Sequence, residues 1–378
     1  MARDSLVLLE DGYAGVEALL GGAGAIDAAA VASGAIQRRR LIRDGSQLLR
    51  LAIRYATSGG LRTTAGWAQT SLGVQLSGVA VFKQLRKADG FLEAMVRPLL
   101  ERAAQAEGAF GDWDGPPIRL VDGSIFAGPK GRGQVRLHAS WDPVAGRFAT
   151  MELTSTAEGE GFTRVGVEPG SINVGDRVYA RTPELRAVAV EGAFFLVRAG
   201  VTSMKLATID GAKPFRSQDI LEAMGDAESL DVDLVALDAR PRRRRPDPPF
   251  PVRLVALRAT ESQTNRERQR IERSRSKKGV TPREDTRSIT HLVLLATNLD
   301  RESWPPKRLG ALLRLRWQIE LAFKTLKTTC HMRQPPMNDP GLLRSWVLAN
   351  LAAVLLAQII ADDLGDSPPS ATTILAQP

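Results

Sequence analysis

The spacing of apolar residues changes period twice along this chain, and that change constrains the fold more than any other feature. From Arg38 to about Gln105 the pattern is helical, with Leu48, Leu49, Leu51, Ala52 and Ile53 in one run and Val79, Val81, Phe82 and Leu85 in another. Turn signals at Ser58-Gly-Gly and Lys87-Ala-Asp-Gly90 divide this block into three to five helices. After Gly111-Asp-Trp-Asp-Gly-Pro-Pro117 short strand-like runs take over: Ile118 to Val121, Val135 to Trp141, Arg147 to Leu153, Ala187 to Val197, Leu254 to Leu257 and Ile289 to Thr297. Helical spacing returns from Pro305 to Met332 and, beyond Pro335-Pro336, over 342–361. Helices, then strands, then helices again predict a mixed α/β chain and exclude an all-α or all-β one. No internal repeat is visible.

Its 378 residues suggest two or three domains. With 43% hydrophobic and 25% charged residues there is ample apolar material for a core, and wholesale disorder is excluded. The one cysteine, Cys330, excludes an internal disulfide framework and a multi-cysteine zinc site, and fits a reducing cytoplasm. The four-residue apolar run, Leu6 to Leu9, before Glu10 and Asp11 is too short and too acidic a setting for a signal peptide. The most apolar stretch, Trp346 to Ala361, spans 16 residues and contains Asn350 and Gln358, whereas a bilayer span needs about 20, so it reads as a buried helix.

The formal charge is +9, but it is not evenly spread. Arg240 to Ser288 holds 16 Lys+Arg and 6 acids, a net of +10, which leaves −1 for the other 329 residues. Such a regional cluster is the footprint of phosphate-backbone binding, where affinity falls with salt as counterions are released. On composition alone it is equally a solvated Arg-rich loop. A second basic series, Arg38, Arg39, Arg40, Arg43, Arg50 and Arg54, lies along the helical block, which carries no specific helix-turn-helix signature.

Three carboxylates stand out. Asp122 lies in Ile118-Arg-Leu-Val-Asp-Gly-Ser124 at the end of a strand run, where a lone Asp-Gly is usually a hairpin turn. Asp176 lies in Asn173-Val-Gly-Asp-Arg-Val-Tyr-Ala180, where the ordinary reading is a helix N-cap. Glu320 lies in Leu312-Leu-Arg-Leu-Arg-Trp-Gln-Ile-Glu-Leu-Ala-Phe-Lys-Thr-Leu-Lys327, where one continuous helix would set Arg316, Glu320 and Lys327 at roughly 0°, 40° and 20°. One face then presents a carboxylate between two cations, although alone this is equally a surface ion pair at i, i+4. Two Asp at strand ends and a Glu on a downstream helix can converge at one sheet edge. That is the donor set that hard Mg²⁺ takes, with substrate phosphate oxygens completing its shell. Two such ions activate the attacking oxygen and stabilise the leaving one in phosphodiester cleavage, with Arg and Lys holding the backbone.

Val-Asp-Gly-Ser, Gly-Asp-Arg-Val-Tyr and the Arg-Trp-x-Ile-Glu-x-x-Phe-Lys-x-Leu-Lys helix together resemble the motifs of bacterial insertion-sequence transposases of the DDE type. More narrowly, they resemble the branch with a β-strand insertion before the catalytic glutamate and a tyrosine, arginine, glutamate, lysine signature. Arg316, Glu320 and Lys327 match that signature's spacing, while Leu313 stands at the tyrosine position, whose ring in the family helps hold the DNA end. The resemblance spans about residues 40–360. It implies an RNase H-like α/β core interrupted by a β-rich insertion, with a helical N-terminal domain that binds DNA. The expected boundaries are a helical DNA-binding part over 1–110, core over 111–185, basic β-rich insertion over 186–300, helical remainder of the core over 301–362 and a loose tail over 363–378. The long gap between Asp176 and Glu320 accommodates the insertion.

The resemblance further implies that Asp122, Asp176 and Glu320 are catalytic and bind two Mg²⁺, with Mn²⁺ able to substitute. Arg316, Lys327, Arg177, Tyr179 and Lys324 are the expected DNA contacts. The expected partners are double-stranded DNA, as transposon terminal inverted repeats and as target, and a second copy of the chain in a synaptic complex. No membrane is expected; the setting would be the bacterial cytoplasm, at the nucleoid. The implied activity is cut-and-paste transposition by metal-dependent strand cleavage and strand transfer. A transposase-derived DNA-binding protein that no longer cuts, and a metal-dependent nuclease without strand transfer, are the alternatives. Among other candidates, Gly128-Pro-Lys-Gly-Arg-Gly133 reads as a hairpin turn rather than a phosphate loop. His138 reads as a satisfied strand histidine, Cys330-His331 lacks partners for zinc, Trp317 reads as core, and Trp304 as a side chain able to stack on an unpaired base.

Overall fold

The computed structural model describes residues 13–58, 60–105, 113–200, 204–237, 248–278, 287–329, 332 and 335–363. Arg240, Arg242 to Arg245, Arg283, Cys330, His331 and the tail beyond Asp363 therefore lie outside the described residues, as do the side chains of Lys277 and Lys278. In chain order the elements are α1 (Tyr13–Leu19), α2 (Ala23–Ala32), α3 (Gly45–Ser58), α4 (Leu61–Ser71), α5 (Gly78–Leu85), α6 (Asp89–Gln105), β1 (Ile118–Ala127), β2 (Gln134–Asp142), β3 (Arg147–Ser155) and β4 (Ile172–Gly175). There follow α7 (Thr182–Val190), β5 (Phe194–Arg198), β6 (Lys205–Ala207), β7 (Pro214–Phe215), α8 (Ser217–Met224), β8 (Ser229–Leu237), β9 (Phe250–Arg258), α9 (Glu261–Lys278), β10 (Leu292–Thr297), α10 (Pro306–Leu315), α11 (Trp317–Thr329) and α12 (Pro340–Asp363). The chain divides into two compact units, one of Met1–Trp113, Gly123–Gly159 and Glu320–Pro378, the other of Asp114–Asp122 and Glu160–Ile319.

In the first unit α12 packs along α6 and against α3. Its buried residues include Leu342, Leu343, Trp346, Val347, Leu351, Leu355 and Ile359, and α3 offers Leu48, Leu49, Ala52, Ile53 and Tyr55. By length and composition α12 would suffice to cross a bilayer over Pro340–Ile360, but 67% of that apolar window is buried inside the protein. The helical block over 1–110 was expected as an N-terminal DNA-binding domain. It shares a core with a helix from the other end of the chain, because a helix apolar on most of its surface needs cover that α3 and α6 supply. Arg344 on α12 ties the unit together, donating to Asp89 Oδ2 at 3.2 Å and to the Leu153 carbonyl at 3.1 Å.

The later half of β1, β2 and β3 complete this unit as a meander, with β2 antiparallel to β3 and a bulge between Ser140 and Trp141. The expected turn at Gly128 is present, and a Cβ there would run into the Met337 carbonyl, so the close approach requires glycine. Phe148 stacks edge-on to Trp141 at 4.9 Å and meets Phe323 at 5.8 Å, which seats α11 on β3.

In the second unit β1, β4 and β5 run parallel. All four residues of β4 are buried, as expected of a central parallel strand covered on both faces. The sheet continues antiparallel through β10, β9, β8, β6 and β7. The core forms around Phe162, Tyr179, Leu185, Val188, Phe195, Val197, Leu254 and Leu294. This mixed α/β architecture, with helices N-terminal to it, is an RNase H-like core.

Two expectations change here. Residues 187–190 close α7 rather than opening a strand; Ala-Val-Ala-Val alternates in sequence, yet the buried positions Thr182, Leu185 and Val188 recur every three residues, a helical period. The strands β6 to β10 extend the core sheet from β5. The basic tract is not wholly β-like, since Glu261–Lys278 is an 18-residue helix.

Candidate active site

Asp122 is not at a strand end. β1 passes through it and Gly123 to reach Ala127, so Asp-Gly here is mid-strand and not a hairpin turn. β1 and β4 pair with a constant offset of 54, Ile118 with Ile172, Arg119 with Asn173 and Leu120 with Val174. β4 and β5 pair in register up to Gly175 with Val197. Asp122 lies two residues past the last β1 pair, Asp176 is the first residue beyond β4, and Arg198 is the last residue of β5. Asp122, Asp176 and Arg198 thus lie at the same end of three adjacent parallel strands, just beyond their last paired positions. All three are half-buried.

Gly175 determines how the chain leaves β4. A Cβ there would lie 2.8 Å from Tyr179 Cβ and 2.9 Å from the Phe162 ring, so the turn that carries Asp176 closes against these aromatics only without a side chain. Asp176 Oδ1 accepts the Val178 N–H at 2.7 Å, and the Asp176 carbonyl accepts that of Tyr179 at 3.2 Å, fixing a tight turn. Tyr179 does not fit its expected role at DNA. Its side chain is fully buried, 4.9 Å from Phe162 between ring centres, and holds the turn from inside.

The helix expected to be continuous from Leu312 is two helices meeting at Arg316, whose N–H bonds to the Leu313 carbonyl three residues back. Arg316 Nη1 lies 3.8 Å from Asp122 Oδ2, both side chains about one-fifth exposed. On α11, Ile319, Phe323 and Leu326 are buried at i, i+4 and i+7, which leaves Glu320 and Lys324 exposed on the adjoining face. Lys327 on that face lies 5.1 Å from the centre of the Phe126 ring. Trp317, expected in the core, is 49% exposed, because it sits roughly 200° round the helix from Ile319. Trp304 is buried with Arg308 over its ring at 4.2 Å, so it is not free to stack on a base. His138 is buried and bonded to Thr154 at 2.8 Å.

Beside Asp176 the structure adds residues that sequence reasoning missed. Glu267 on α9 meets Arg177 at 3.4 Å through Oε1, Arg198 at 3.4 Å through Oε2, and Arg270 at 2.7 Å. Burial alone would raise the Glu267 pKa, but the hydrogen bonds from Arg270 and the charges of Arg198, Arg270 and Arg177 hold it below the usual carboxylate range. The Arg177 pKa is lowered, first by desolvation and then by Arg198. The available signal was Ile271, the one apolar residue in α9: it marks the inner face, and Glu267 lies one turn before it.

Asp122 and Asp176, side by side, offer the hard oxygen donors that a divalent cation such as Mg²⁺ takes. They supply part of a site: among the described residues no group of three or more His, Cys, Asp or Glu side chains is drawn close enough to hold a metal ion. The charge that faces Asp122 across 3.8 Å is the cation Arg316.

Residues 110–356 match the family of transposase DDE domains. The transposase for insertion sequence element IS421 of Escherichia coli is 31% identical over 368 residues, 95% of this chain and 96% of that protein. InsL of insertion sequence element IS186A, from Escherichia coli strain K12, is 31% identical over 367 residues, again 95% and 96%. The transposase for IS231E of Bacillus thuringiensis subsp. finitimus is 22% identical over 238 residues, 56% of this chain and 49% of that protein. With the family matched over most of its length and insertion-sequence relatives aligned nearly end to end, this chain belongs to the DDE-type transposases of insertion sequences, enzymes that cleave DNA and join it again.

Proposed function

We propose that the protein moves its own insertion sequence by cut-and-paste transposition, binding the terminal inverted repeats as a dimer and inserting the excised element into target DNA. The observation that carries this reading is that Asp122 and Asp176 lie at the same end of the neighbouring parallel strands β1 and β4, with Arg316 beside the first. Asp122, Asp176 and Glu320 would hold the divalent ions, two Mg²⁺ with Mn²⁺ as a substitute. Such ions, when bound, lower the pKa of the attacking water or hydroxyl and stabilise the leaving oxygen. The chain's own part is to position the strand. Arg316 approaches the scissile phosphate as a forked donor, Lys324 and Lys327 hold the adjoining backbone from α11, and Arg177 does so from the turn after β4. Tyr179 supports that turn and makes no DNA contact. The work takes place in the bacterial cytoplasm, at the nucleoid.

The ion pair between Arg316 and Asp122 also favours a second reading, a DNA-binding descendant that no longer cuts, since the guanidinium competes for a carboxylate that a metal would need. Excision from a donor plasmid separates the two. Glu320→Gln and Asp122→Asn are expected to lower Mg²⁺-dependent excision by at least about 100-fold, as loss of a group that stabilises transition-state charge does, while plasmid binding persists. Excision that survives either change would overturn the catalytic reading.

A further inference from the structure

The arginines beside Asp176 are too many for the acid that holds them. Glu267 is one carboxylate, and Arg177, Arg198 and Arg270 all turn to it within 3.4 Å. With Asp176 counted beside Glu267, the cluster carries three positive charges against two negative. Arg198 ends β5, the strand beside β4, one residue beyond the pair of Gly175 with Val197, at the strand end where Asp176 follows Gly175. Arg270 comes from α9, close enough to Asp176 for that carboxylate to act on it electrostatically. The side chains of Arg177 and Arg198 are one-third exposed and that of Arg270 is 62% exposed, so each keeps donors facing water. Arg177 Nε is shielded from water and has no hydrogen-bond partner among the described residues.

A cluster built only to dock α9 needs one arginine per acid. Here α9 has a single apolar residue, Ile271, and its inward residues are Thr264, Glu267 and Ile271. Glu267 therefore both seats the helix and fixes three guanidinium groups in one orientation. A planar guanidinium held from one side presents its remaining N–H groups as a fork, the geometry that matches phosphate oxygens.

We propose that Arg198 and Arg270, braced by Glu267, form with Arg177 a site for a DNA backbone phosphate next to the one that is cut. The inference rests on the reading of Asp122 and Asp176 as the cleavage centre, and it makes Glu267 a positioning residue. Fixing the neighbouring phosphate sets the strand's register over the two aspartates. Charge complementarity selects the occupant, since three forked cations beside a nuclease-type acid pair accept a polyanion and repel cationic ligands.

The test uses the full-length protein and a 40-base-pair duplex of arbitrary sequence, with binding measured across a salt series and nicking of supercoiled plasmid measured with Mg²⁺. Arg198→Gln and Arg270→Gln are each expected to reduce the slope of log K against log salt by about 0.9, the value for one fewer phosphate neutralised. Arg198→Lys should restore the slope, because charge is kept, but not the nicking rate, because the fork is lost. Glu267→Gln should keep the slope yet lower turnover at saturating DNA. Wild-type slopes in both Gln variants would overturn the proposal. If Arg198→Gln does not fold, Arg270→Gln, on the exposed side of α9, decides alone. Should Asp122→Asn keep nicking while the slopes fall as expected, the cleavage centre is misplaced but the phosphate site stands.

Discussion

Arg253 illustrates how one residue's meaning depends on its surroundings. It belongs to the basic tract, yet its side chain is 5% exposed and never meets solvent anions. Its guanidinium donates to Asp231 at 2.7 and 2.8 Å and to the carbonyls of Leu299, Asp300 and Trp304 at 2.9 to 3.2 Å. Those carbonyls belong to the turn that starts α10, so Arg253 fixes the approach to Arg316. Arg253→Met leaves three carbonyls without this donor while Asp231 keeps Arg301 at 3.1 Å, and buried groups left unsatisfied cost about 1 to 3 kcal/mol. We expect the urea midpoint to fall accordingly. The double change Arg253→Met with Asp231→Leu should cost no less than the single one, because Arg301 already meets Asp231 in the single variant and the three carbonyls lack their donor in both; a clearly smaller loss would show that the Asp231 charge dominates.

At the scale of elements, α9 is the least self-sufficient helix described. A helix polar on nearly all sides is stabilised from outside itself, here by Glu267 at Arg177 and Arg198 and by the i, i+3 pairs Glu267 with Arg270 and Glu272 with Arg275. Arg266, Arg268 and Arg273 face solvent, and the first bonds only to Ser262 a turn away. Changing these three to Gln should lower the salt slope of duplex binding by up to about 2.7, at 0.9 for each phosphate they neutralise, with an unchanged thermal midpoint. An unchanged slope would place the DNA on another face. Of the N-terminal arginines, Arg39 is paired with Asp27 at 2.6 Å and Arg50 lies over Tyr13 at 5.0 Å, while Arg38, Arg40 and Arg43 are exposed. α11 follows the opposite logic, since its buried stripe sets its rotation and so fixes which way Glu320 and Lys324 face.

For the whole molecule, the charge of +9 makes DNA binding salt-dependent, but its acids govern stability. Asp231 and Glu267 both have pKa values depressed in the folded state: burial opposes the shift in each, and the arginine partners outweigh it. A depressed carboxylate stabilises the fold above its unfolded pKa, about 3.9 for Asp and 4.3 for Glu. That contribution is lost as pH falls through the folded values. The thermal midpoint should therefore be flat from neutral pH to about 5 and drop below about 4. Asp231→Asn should lower the plateau and flatten the acid limb, and an acid limb identical to wild type would exclude Asp231 as its source.

The sequence by itself determined the chemistry and its order along the chain. Three acids, a glutamate helix flanked by cations and a regional excess of arginine were legible because residue type and spacing carry them. The period of the apolar pattern likewise carried most elements, among them β2, β3, β10 and α12. What only the tertiary structure decided were relations between segments far apart in the chain. That Asp122, Asp176 and Arg198 lie at one end of β1, β4 and β5 comes from strand pairing, which backbone hydrogen bonds set and no local spacing encodes. Tyr179 and Trp304 turned inward, and Trp317 outward, because burial depends on which face a neighbour covers. Glu267 lay hidden in a run of arginines because two of its partners, Arg177 and Arg198, are 90 and 69 residues away, where a one-dimensional pattern does not pair them.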